Sequence, residues 1–293
     1  MPIRSNVAWL TQKLRLLAVL LLSLTLSSAL RANTPPRLIT LSPHLTELAF
    51  EAGGGDHLVG VVAYSDYPKE ALELPRIGDA FQFDFETILA LDPTHALAWQ
   101  GGTPEGVTSQ LRDWGIEVVW IETRTLNQIS EGLLRIAEVI GDSKKAARVA
   151  ESFQEKLAFW EANMAESQAK PTKIFYQISE RPLYTFGNRH VINEVFRLCS
   201  AENLFSDVNT EAFAVDMESV IDRQPDLILI GTDAQAHAAI PPLWNGNSIN
   251  ATIHLVDANL LVRPTPRLLQ GIEELCTLTK KMSSRNAGVE SSP

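Results

Sequence analysis

The segment Ser143–Lys170 most constrains the fold, because it is long, contains no proline or glycine and separates two similar regions of the chain. It is rich in Ala, Glu, Lys and Gln, and its apolar residues Val149, Phe153, Leu157 and Trp160 recur at helical spacing. The pattern predicts one long amphipathic helix. A helix of this length acts as a stiff strut and not as a flexible linker.

Short apolar runs alternate with amphipathic segments on both sides of this helix. Before it, we expect strands at 37–41, 58–63, 95–99 and 117–121 and helices at 44–52, 86–91 and 107–114. After it, we expect strands at 173–178, 227–230 and 253–255 and helices at 191–199, 217–223 and 266–279. This alternation predicts an α/β fold of two lobes with parallel sheets, joined by the long rigid helix. One larger doubly wound sheet with a long crossover helix is the alternative.

These elements define the domain boundaries. We expect an N-terminal lobe at 37–142, a linking helix at 143–170 and a C-terminal lobe at 171–281. The serine-rich, polar segment 282–293 is expected to be a disordered tail.

The segment 1–32 has the pattern of a secretory signal peptide. Basic residues precede an apolar run from Leu16 to Leu26, and small residues at Ala29 and Ala32 offer two cleavage sites. The run is too short to span a bilayer comfortably, although a retained anchor is the alternative. Cleavage after Ala32 removes four basic residues and no acidic one, so the net charge changes from −10 to −14. We therefore expect an exported, periplasmic, monomeric protein that does not bind nucleic acid.

The two lobes contain one ungapped internal correspondence. The segment from Glu86 to Trp99 aligns with the segment from Glu218 to Gly231, at one constant offset in sequence. Each copy has an acidic residue, a short amphipathic helix, a proline turn and a buried strand. Favourable interaction with the helix dipole explains the positions of Glu86 and Glu218 as well as a functional role does.

Aromatic residues occur where the predicted strands end. The ligand-binding candidates of this kind are Tyr64, Phe81, Phe83, Trp99, Tyr184 and Phe213. Ligands of open α/β sheets bind at the carboxyl ends of the strands, and flat aromatic surfaces suit a large, partly apolar ligand. Ordinary packing is the alternative for each aromatic taken singly.

Three further residues extend this candidate site. Gly101 allows the backbone to approach a ligand closely, although a simple turn explains it as well. Asn259 and Arg263 flank another strand end, where they could donate hydrogen bonds to ligand amides or a phosphate. A solvated surface charge is the alternative for Arg263.

Motifs of enzymes and metal sites are scarce in this sequence. We find no nucleophile elbow, zinc helix, phosphate loop or dinucleotide fingerprint. The six histidines are scattered, so we expect neither a metal site nor a bound cofactor. Ser65, Asp66 and His44 are the weak candidates for an exported α/β hydrolase, which is a remote alternative.

The chain has two cysteines, Cys199 and Cys276, and an even count in an exported protein favours a disulfide. Two separate buried thiols are the alternative, because sequence alone does not give the distance between them.

Several segments resemble the periplasmic cobalamin-binding proteins of ABC importers, within a wider family that also takes up ferric siderophores and haem. The similar segments are Arg37-Leu-Ile-Thr-Leu-Ser-Pro-His-Leu-Thr-Glu-Leu-Ala-Phe50, Tyr64-Ser-Asp-Tyr-Pro68, Ala98-Trp-Gln-Gly-Gly102, Glu202-Asn-Leu-Phe205 and Pro264-Thr-Pro-Arg267. The resemblance covers nearly the whole mature chain. Tyr64-Ser-Asp-Tyr-Pro68 and the stretch after Trp99 are similar to the cobalamin branch in particular.

The resemblance implies a bilobal binding protein that captures cobalamin or a related corrinoid between its lobes and delivers it to a membrane permease. It implies that Glu86 and Glu218 dock onto that permease and that Cys199 pairs with Cys276. A ferric siderophore or haem carrier is the alternative within the family. The sequence departs from the cobalamin branch at Ala80, where a tryptophan is usual, so Phe81 or Phe83 would have to replace its stacking surface.

Overall fold

The computed structural model describes residues 35–79, 82–164, 170–232, 240–244 and 249–290. The expected signal peptide and Phe81 lie outside the described residues. Within that part of the chain, no helix is long and apolar enough to cross a membrane.

The N-terminal lobe is built on a four-stranded parallel sheet. Its strands are β1 (Leu38–Thr40), β2 (Leu58–Val61), β3 (His95–Trp99) and β4 (Glu117–Ile121), in the order β2-β1-β3-β4. The helices of this lobe are α1 (Pro43–Glu51), α2 (Phe85–Ala90), α3 (Glu105–Asp113) and α4 (Leu126–Ile140). A short 3-10 turn precedes β2 at Gly55–His57, and another lies at Lys69–Glu73.

Helix α4 is absent from the sequence-based prediction, although its ends have clear local causes. Thr125 and Gln128 form a capping box at its start. Gly141 ends it with φ 76°, a left-handed conformation that suits glycine. The apolar face of α4 is buried against the sheet and against the next helix.

The linking helix α5 spans Lys144–Met164. Residues 165–169 lie outside the described part, so the C-terminal end of the expected 143–170 helix is not described. Ala150, Phe153 and Leu157 of α5 belong to one core that continues from Leu48 in the N-terminal lobe to Val195 in the C-terminal lobe. Because this core is continuous, α5 is packed against both lobes, as expected for a stiff strut.

The C-terminal lobe has its own parallel sheet, so the prediction of two lobes is confirmed and the single-sheet alternative is wrong. Its strands are β5 (Thr172–Gln177), β8 (Ala201–Asn203), β10 (Leu227–Thr232) and β11 (Thr252–Asp257), in the order β11-β10-β5-β8. Its helices are α6 (Ile192–Leu198), α7 (Met217–Arg223), α8 (Ala258–Leu261) and α9 (Leu268–Glu290), with a 3-10 turn at Pro242–Trp244.

Helix α9 continues to Glu290, whereas the composition predicts a disordered segment from residue 282. The residues between Met282 and Glu290 include no proline and one glycine, so nothing in them breaks a helix that has already begun.

A small antiparallel sheet is added to the C-terminal lobe and was not expected. It comprises β6 (Ser179–Glu180), β7 (Leu183–Phe186) and β9 (Ala212–Ala214), in the order β6-β7-β9. Tyr184 lies opposite Ala214, and Thr185 lies opposite Phe213. Because side chains alternate along a strand, Tyr184 and Phe213 are on opposite faces of this sheet.

The expected disulfide is present. Cys199, at the end of α6, is bonded to Cys276 in α9, and both residues are buried in the main core. The bond connects two elements of the C-terminal lobe that are 77 residues apart in sequence.

Candidate functional site

A cavity of about 290 Å³ lies at the carboxyl edge of the N-terminal sheet. Its walls are residues that directly follow three adjacent strands: 41–43 after β1, 62–64 after β2 and 102–104 after β3, together with Asp79, Phe83 and Trp99. The lining is mostly apolar. The arrangement has the position and character expected of a ligand site in an α/β fold.

Tyr64 projects from this edge into solvent. Its side chain is 78% exposed, and its backbone has φ 64°, an uncommon conformation for a residue other than glycine. Its carbonyl oxygen accepts a hydrogen bond of 3.1 Å from Arg263 of the C-terminal lobe. The aromatic ring is therefore open to solvent while its backbone is held in an unusual conformation by the opposite lobe.

Trp99 forms a more buried part of the same wall. Its ring makes an edge contact with His44, with the ring centroids 5.2 Å apart, and its indole N–H has no hydrogen-bond partner within the described part of the chain. A side chain at Gly102 would collide with the Trp99 ring. The neighbouring Gly101 has φ 129° and faces a second cavity of about 380 Å³ beside Trp120. Glycine is thus required at Gly101 by the backbone conformation and at Gly102 by the position of the Trp99 ring.

The candidates of the C-terminal lobe are distributed differently. Tyr184 is 36% exposed on β7, whereas Phe213 is half-buried and makes an edge contact with Phe205 in the core of that lobe. Asn259 is the second residue of α8, at the carboxyl end of β11, and its backbone N–H donates to Asp257. Asn259 is half-buried there, Tyr184 lies at the surface of the lobe and Phe213 packs inward.

Two buried histidines lie close to one another where the lobes meet. Burial, with the charges of Arg263 and His190, lowers the pKa of His44 to about 3. Burial also lowers the pKa of His190 to about 3, although a hydrogen bond with the backbone of Val262 opposes this shift. The His190 ring stacks on Phe186 of β7 with centroids 3.9 Å apart. Both imidazoles are neutral at physiological pH and serve as packed, uncharged groups.

The three residues considered for a hydrolase are not assembled into a catalytic group. Ser65 Oγ bonds to Thr46 Oγ1 at 2.9 Å, and His44 Nδ1 lies 2.6 Å from Ser42 Oγ. Asp66 is paired with Arg263. Each residue is committed to a different partner, so these three lack the nucleophile-base contact that such an enzyme needs.

Arg263 belongs to a four-residue ion-pair cluster between the lobes. Its Nη1 donates to Glu47 Oε1 at 2.9 Å and to Asp66 Oδ1 at 2.6 Å. Arg267 Nε lies 3.3 Å from Glu47 Oε2, and its guanidinium lies 3.8 Å above the Tyr67 ring. We call these four charged residues (Glu47, Asp66, Arg263 and Arg267) the junction cluster. The alternative interpretation of Arg263 was a solvated surface charge, and these contacts argue against it.

The electrostatics of the junction cluster reflect burial as well as pairing. Burial raises the pKa of Glu47, and the hydrogen bond from Arg263 and the charge of Arg267 only partly oppose this. Burial disfavours the charge of Arg263, but its hydrogen bonds to Asp66 and Glu47 outweigh that effect and raise its pKa. Glu47 and Arg267 were not predicted as site residues. Nothing in the apolar helix α1 shows that Glu47 has a partner 216 residues away, at Arg263.

A second ionic contact joins the lobes elsewhere. Arg124 lies 3.4 Å from Glu122 and 4.0 Å from Glu211 of the C-terminal lobe. Burial raises the pKa of Glu211 against the charges of Arg124 and Arg189. In addition, Glu194 accepts a hydrogen bond of 2.6 Å from the backbone N–H of Leu126.

Glu86 and Glu218 occupy equivalent positions in the two lobes. Each is exposed near the start of a short helix, and neither carboxylate has an ion pair or side-chain hydrogen bond among the described residues. The capping is done by other residues: Asp84 accepts from the Thr87 N–H at 3.0 Å, and Asp216 accepts from the Ser219 N–H at 2.7 Å. The two caps are separated in sequence by the same number of residues as the two glutamates. Because neither glutamate is used as a cap, both remain available to a partner.

No cluster of three or more His, Cys, Asp or Glu residues that could hold a metal ion occurs in the ranges that the structure describes.

Comparison with known proteins identifies the family. A family model of periplasmic binding proteins matches residues 38–242. The chain is a periplasmic binding protein. The vitamin B12-binding protein of Vibrio cholerae is 34% identical to this periplasmic binding protein over 270 residues, which cover 91% of the chain and 97% of the relative.

Solved structures agree with this assignment. The crystal structure of the periplasmic vitamin B12 binding protein BtuF of Vibrio cholerae matches with a TM-score of 0.74 at 33% identity, covering 84% of this chain and 97% of that chain. A periplasmic haem-binding protein from Roseiflexus matches with a TM-score of 0.71 at 20% identity, covering 84% and 98% of the two chains. At that identity, the second likeness concerns the fold alone. The α/β bilobal architecture of this periplasmic binding protein is thus shared with carriers of different ligands.

Proposed function

We propose that this periplasmic binding protein captures cobalamin, or a related corrinoid, between its two lobes and delivers it to the permease of an ABC importer. The similarity to vitamin B12-binding proteins over nine-tenths of the chain supports this ligand. The N-terminal pattern supports export to the periplasm and removal of a signal peptide that ends at Ala29 or Ala32.

The observation that carries the proposal is the aromatic cavity at the carboxyl edge of the N-terminal sheet. Tyr64, Phe83 and Trp99 line that cavity, and most of its lining is apolar. A corrinoid has a broad apolar ring with amide groups at its periphery, so it needs flat aromatic walls and a few hydrogen-bonding groups. The cavity is smaller than such a ligand, which would therefore extend from it into the space between the lobes.

The remaining candidates have different proposed roles. Tyr184 would form the wall on the side of the C-terminal lobe, and Asn259 would bind peripheral amides. Gly101 would admit the ligand close to the backbone, and Phe81 would supplement Phe83. Phe213 would support the C-terminal wall from behind through its contact with Phe205.

Delivery requires a contact with the permease, for which we propose Glu86 and Glu218. Both carboxylates are exposed, unpaired among the described residues and placed on equivalent helices of the two lobes. Such a pair suits arginines on two similar halves of a membrane protein, because charge-assisted hydrogen bonds form between guanidinium and carboxylate. The −14 net charge of the mature chain would assist the encounter with a basic surface.

Isothermal titration of the mature protein tests the ligand assignment, with cyanocobalamin, cobinamide and haemin as separate ligands. We expect saturable one-to-one binding of cyanocobalamin that Trp99→Ala weakens. Binding of haemin in preference to both corrinoids would instead favour the haem carrier, and absence of corrinoid binding would contradict the proposal. Circular dichroism of Trp99→Ala serves as the control for folding.

A further inference from the structure

The junction cluster lies beside the loop that forms one wall of the proposed ligand site. Arg263 bonds the carbonyl of Tyr64, and Arg267 stacks on Tyr67, so both guanidiniums hold the segment that presents the exposed Tyr64 ring. The side chains of the same two arginines are 14% and 16% exposed, and both reach from the C-terminal lobe to Glu47 of the N-terminal lobe.

Neither Arg263 nor Arg267 is free to bind a charged ligand. Glu47 contacts both guanidiniums and Asp66 contacts one, so two positive and two negative charges balance within the cluster. Glu47 is 1% exposed, whereas Asp66 is 42% exposed. A ligand carboxylate that displaced Glu47 would leave a buried carboxylate without its partner, which is strongly unfavourable.

Arg124, on the other side of the site, is likewise paired with carboxylates. It is near Glu122 and Glu211, and it borders Gly101. The positive charge of these three arginines, which an anionic chelate or a haem propionate would need, is thus already bound to protein carboxylates.

We propose that the junction cluster determines the charge of the accepted ligand, so that the site selects an uncharged ligand over an anionic one of the same shape. The inference rests on the proposed corrinoid function and adds Glu47 and Asp66 as specificity-determining residues. They act by neutralising the two arginines, so that the junction cluster offers no uncompensated positive charge to an anionic ligand.

A matched pair of ligands tests this proposal. Cyanocobalamin carries no net charge, and hydrolysis of one peripheral amide gives a monocarboxylic acid of nearly the same shape with one negative charge. Titration of the wild-type protein with each separated acid isomer should show weaker binding than with cyanocobalamin, by about tenfold for the isomer nearest the cluster.

Two single variants, their double variant and one control complete the design. Asp66→Asn and Glu47→Gln each remove one negative charge from the junction cluster, and each should reduce the preference for the amide, on the order of tenfold in the double variant. Asp207→Asn removes the same charge from an ion pair with Arg223 inside the C-terminal lobe. This control should leave the preference unchanged, which separates a local effect from that of net charge.

The outcomes distinguish the two claims. If wild-type protein does not bind cyanocobalamin, the proposed function fails and this inference fails with it. If cyanocobalamin binds and the preference is the same in wild type, Asp66→Asn and Asp207→Asn, this inference alone is overturned. Because Asp66 is partly exposed, the test does not depend on whether Glu47→Gln folds.

Discussion

The two lobes are alike on one surface and different on another. Both contain an aspartate cap, an exposed glutamate, a short helix and a buried parallel strand, in the same order and with the same spacing. At the carboxyl ends of the strands, however, the N-terminal lobe has the aromatic cavity, whereas the C-terminal lobe continues from β5 into an added antiparallel sheet. The C-terminal lobe also has a disulfide between α6 and α9. A repeated surface suits a partner with two similar halves, and unlike walls suit a ligand without such symmetry.

The disulfide stabilises the C-terminal lobe, and the N-terminal lobe contains no cysteine. Replacing both Cys199 and Cys276 with alanine should lower the free energy of unfolding by about 4 kcal/mol, because the bond closes a long loop of the unfolded chain. Denaturant unfolding measures the total. Hydrogen exchange should show protection lost in β5, β8, β10 and β11 more than in β1 to β4; equal loss in both sheets would contradict the comparison.

The two buried histidines, His44 and His190, come one from each lobe and should make the free energy of unfolding depend on pH. The pKa of each is lowered to about 3 from 6.5, so the unfolded chain binds more protons between these values. Stability is therefore complete above about pH 6.5 and falls as the pH drops toward 3, by roughly 3 kcal/mol per histidine at pH 4.

Thermal unfolding of wild type, His44→Gln and His190→Gln between pH 4 and pH 7 measures this effect. Each variant should have a flatter profile than wild type, and equal slopes in all three proteins would show that these histidines do not cause the acid sensitivity. His57→Gln, which replaces a histidine of a surface turn, is the control.

Ligand binding should depend more on the N-terminal wall than on the C-terminal wall. Tyr64 exposes 78% of its side chain and Tyr184 exposes 36%, so a ligand can cover more aromatic surface on Tyr64. Tyr64→Ala should weaken cyanocobalamin binding by about 2 kcal/mol, and Tyr184→Ala by about half of that. A larger effect of Tyr184→Ala in the same titration would show that the ligand depends more on the C-terminal wall. Phe159→Ala, on the linking helix, is the control.

The two caps should be energetically equivalent. Asp84→Ala and Asp216→Ala each remove one bond to a backbone N–H and one to a hydroxyl, so each should lower the free energy of unfolding by a similar amount. Chemical denaturation of the two variants compares them directly. A cost at one cap only would show that the repeated unit is not used in the same way in both lobes.

Local patterns predicted much of the fold. The bounds of β3, β4 and α7 agree with the sequence-based ranges, because turn residues and apolar runs mark them clearly. Helix α4 was overlooked although its capping box and Gly141 are visible in the sequence. The antiparallel strands β6, β7 and β9 contain only two to four residues each, which is too short to give a periodic signal.

The site was predictable to a smaller extent. Tyr64, Phe83 and Trp99 line the cavity, and the sequence indicated them as candidates because ligand sites of α/β folds follow parallel strands. Their role in ligand binding stays a prediction. The junction cluster and the proximity of His44 to His190 were not predicted, because they involve residues of different lobes. Only the packing of α1 and the Tyr64 loop against the C-terminal lobe brings these groups together.

The most direct test of the account is the position of the cobalt in crystals grown with cyanocobalamin. An anomalous difference map collected at the cobalt absorption edge locates the metal without reference to any atomic description of the ligand. We predict one peak per molecule in the space between the lobes, facing Tyr64 and Trp99 on one side and Tyr184 on the other. A peak elsewhere on the surface, or no peak in crystals soaked to saturation, would contradict the central claim.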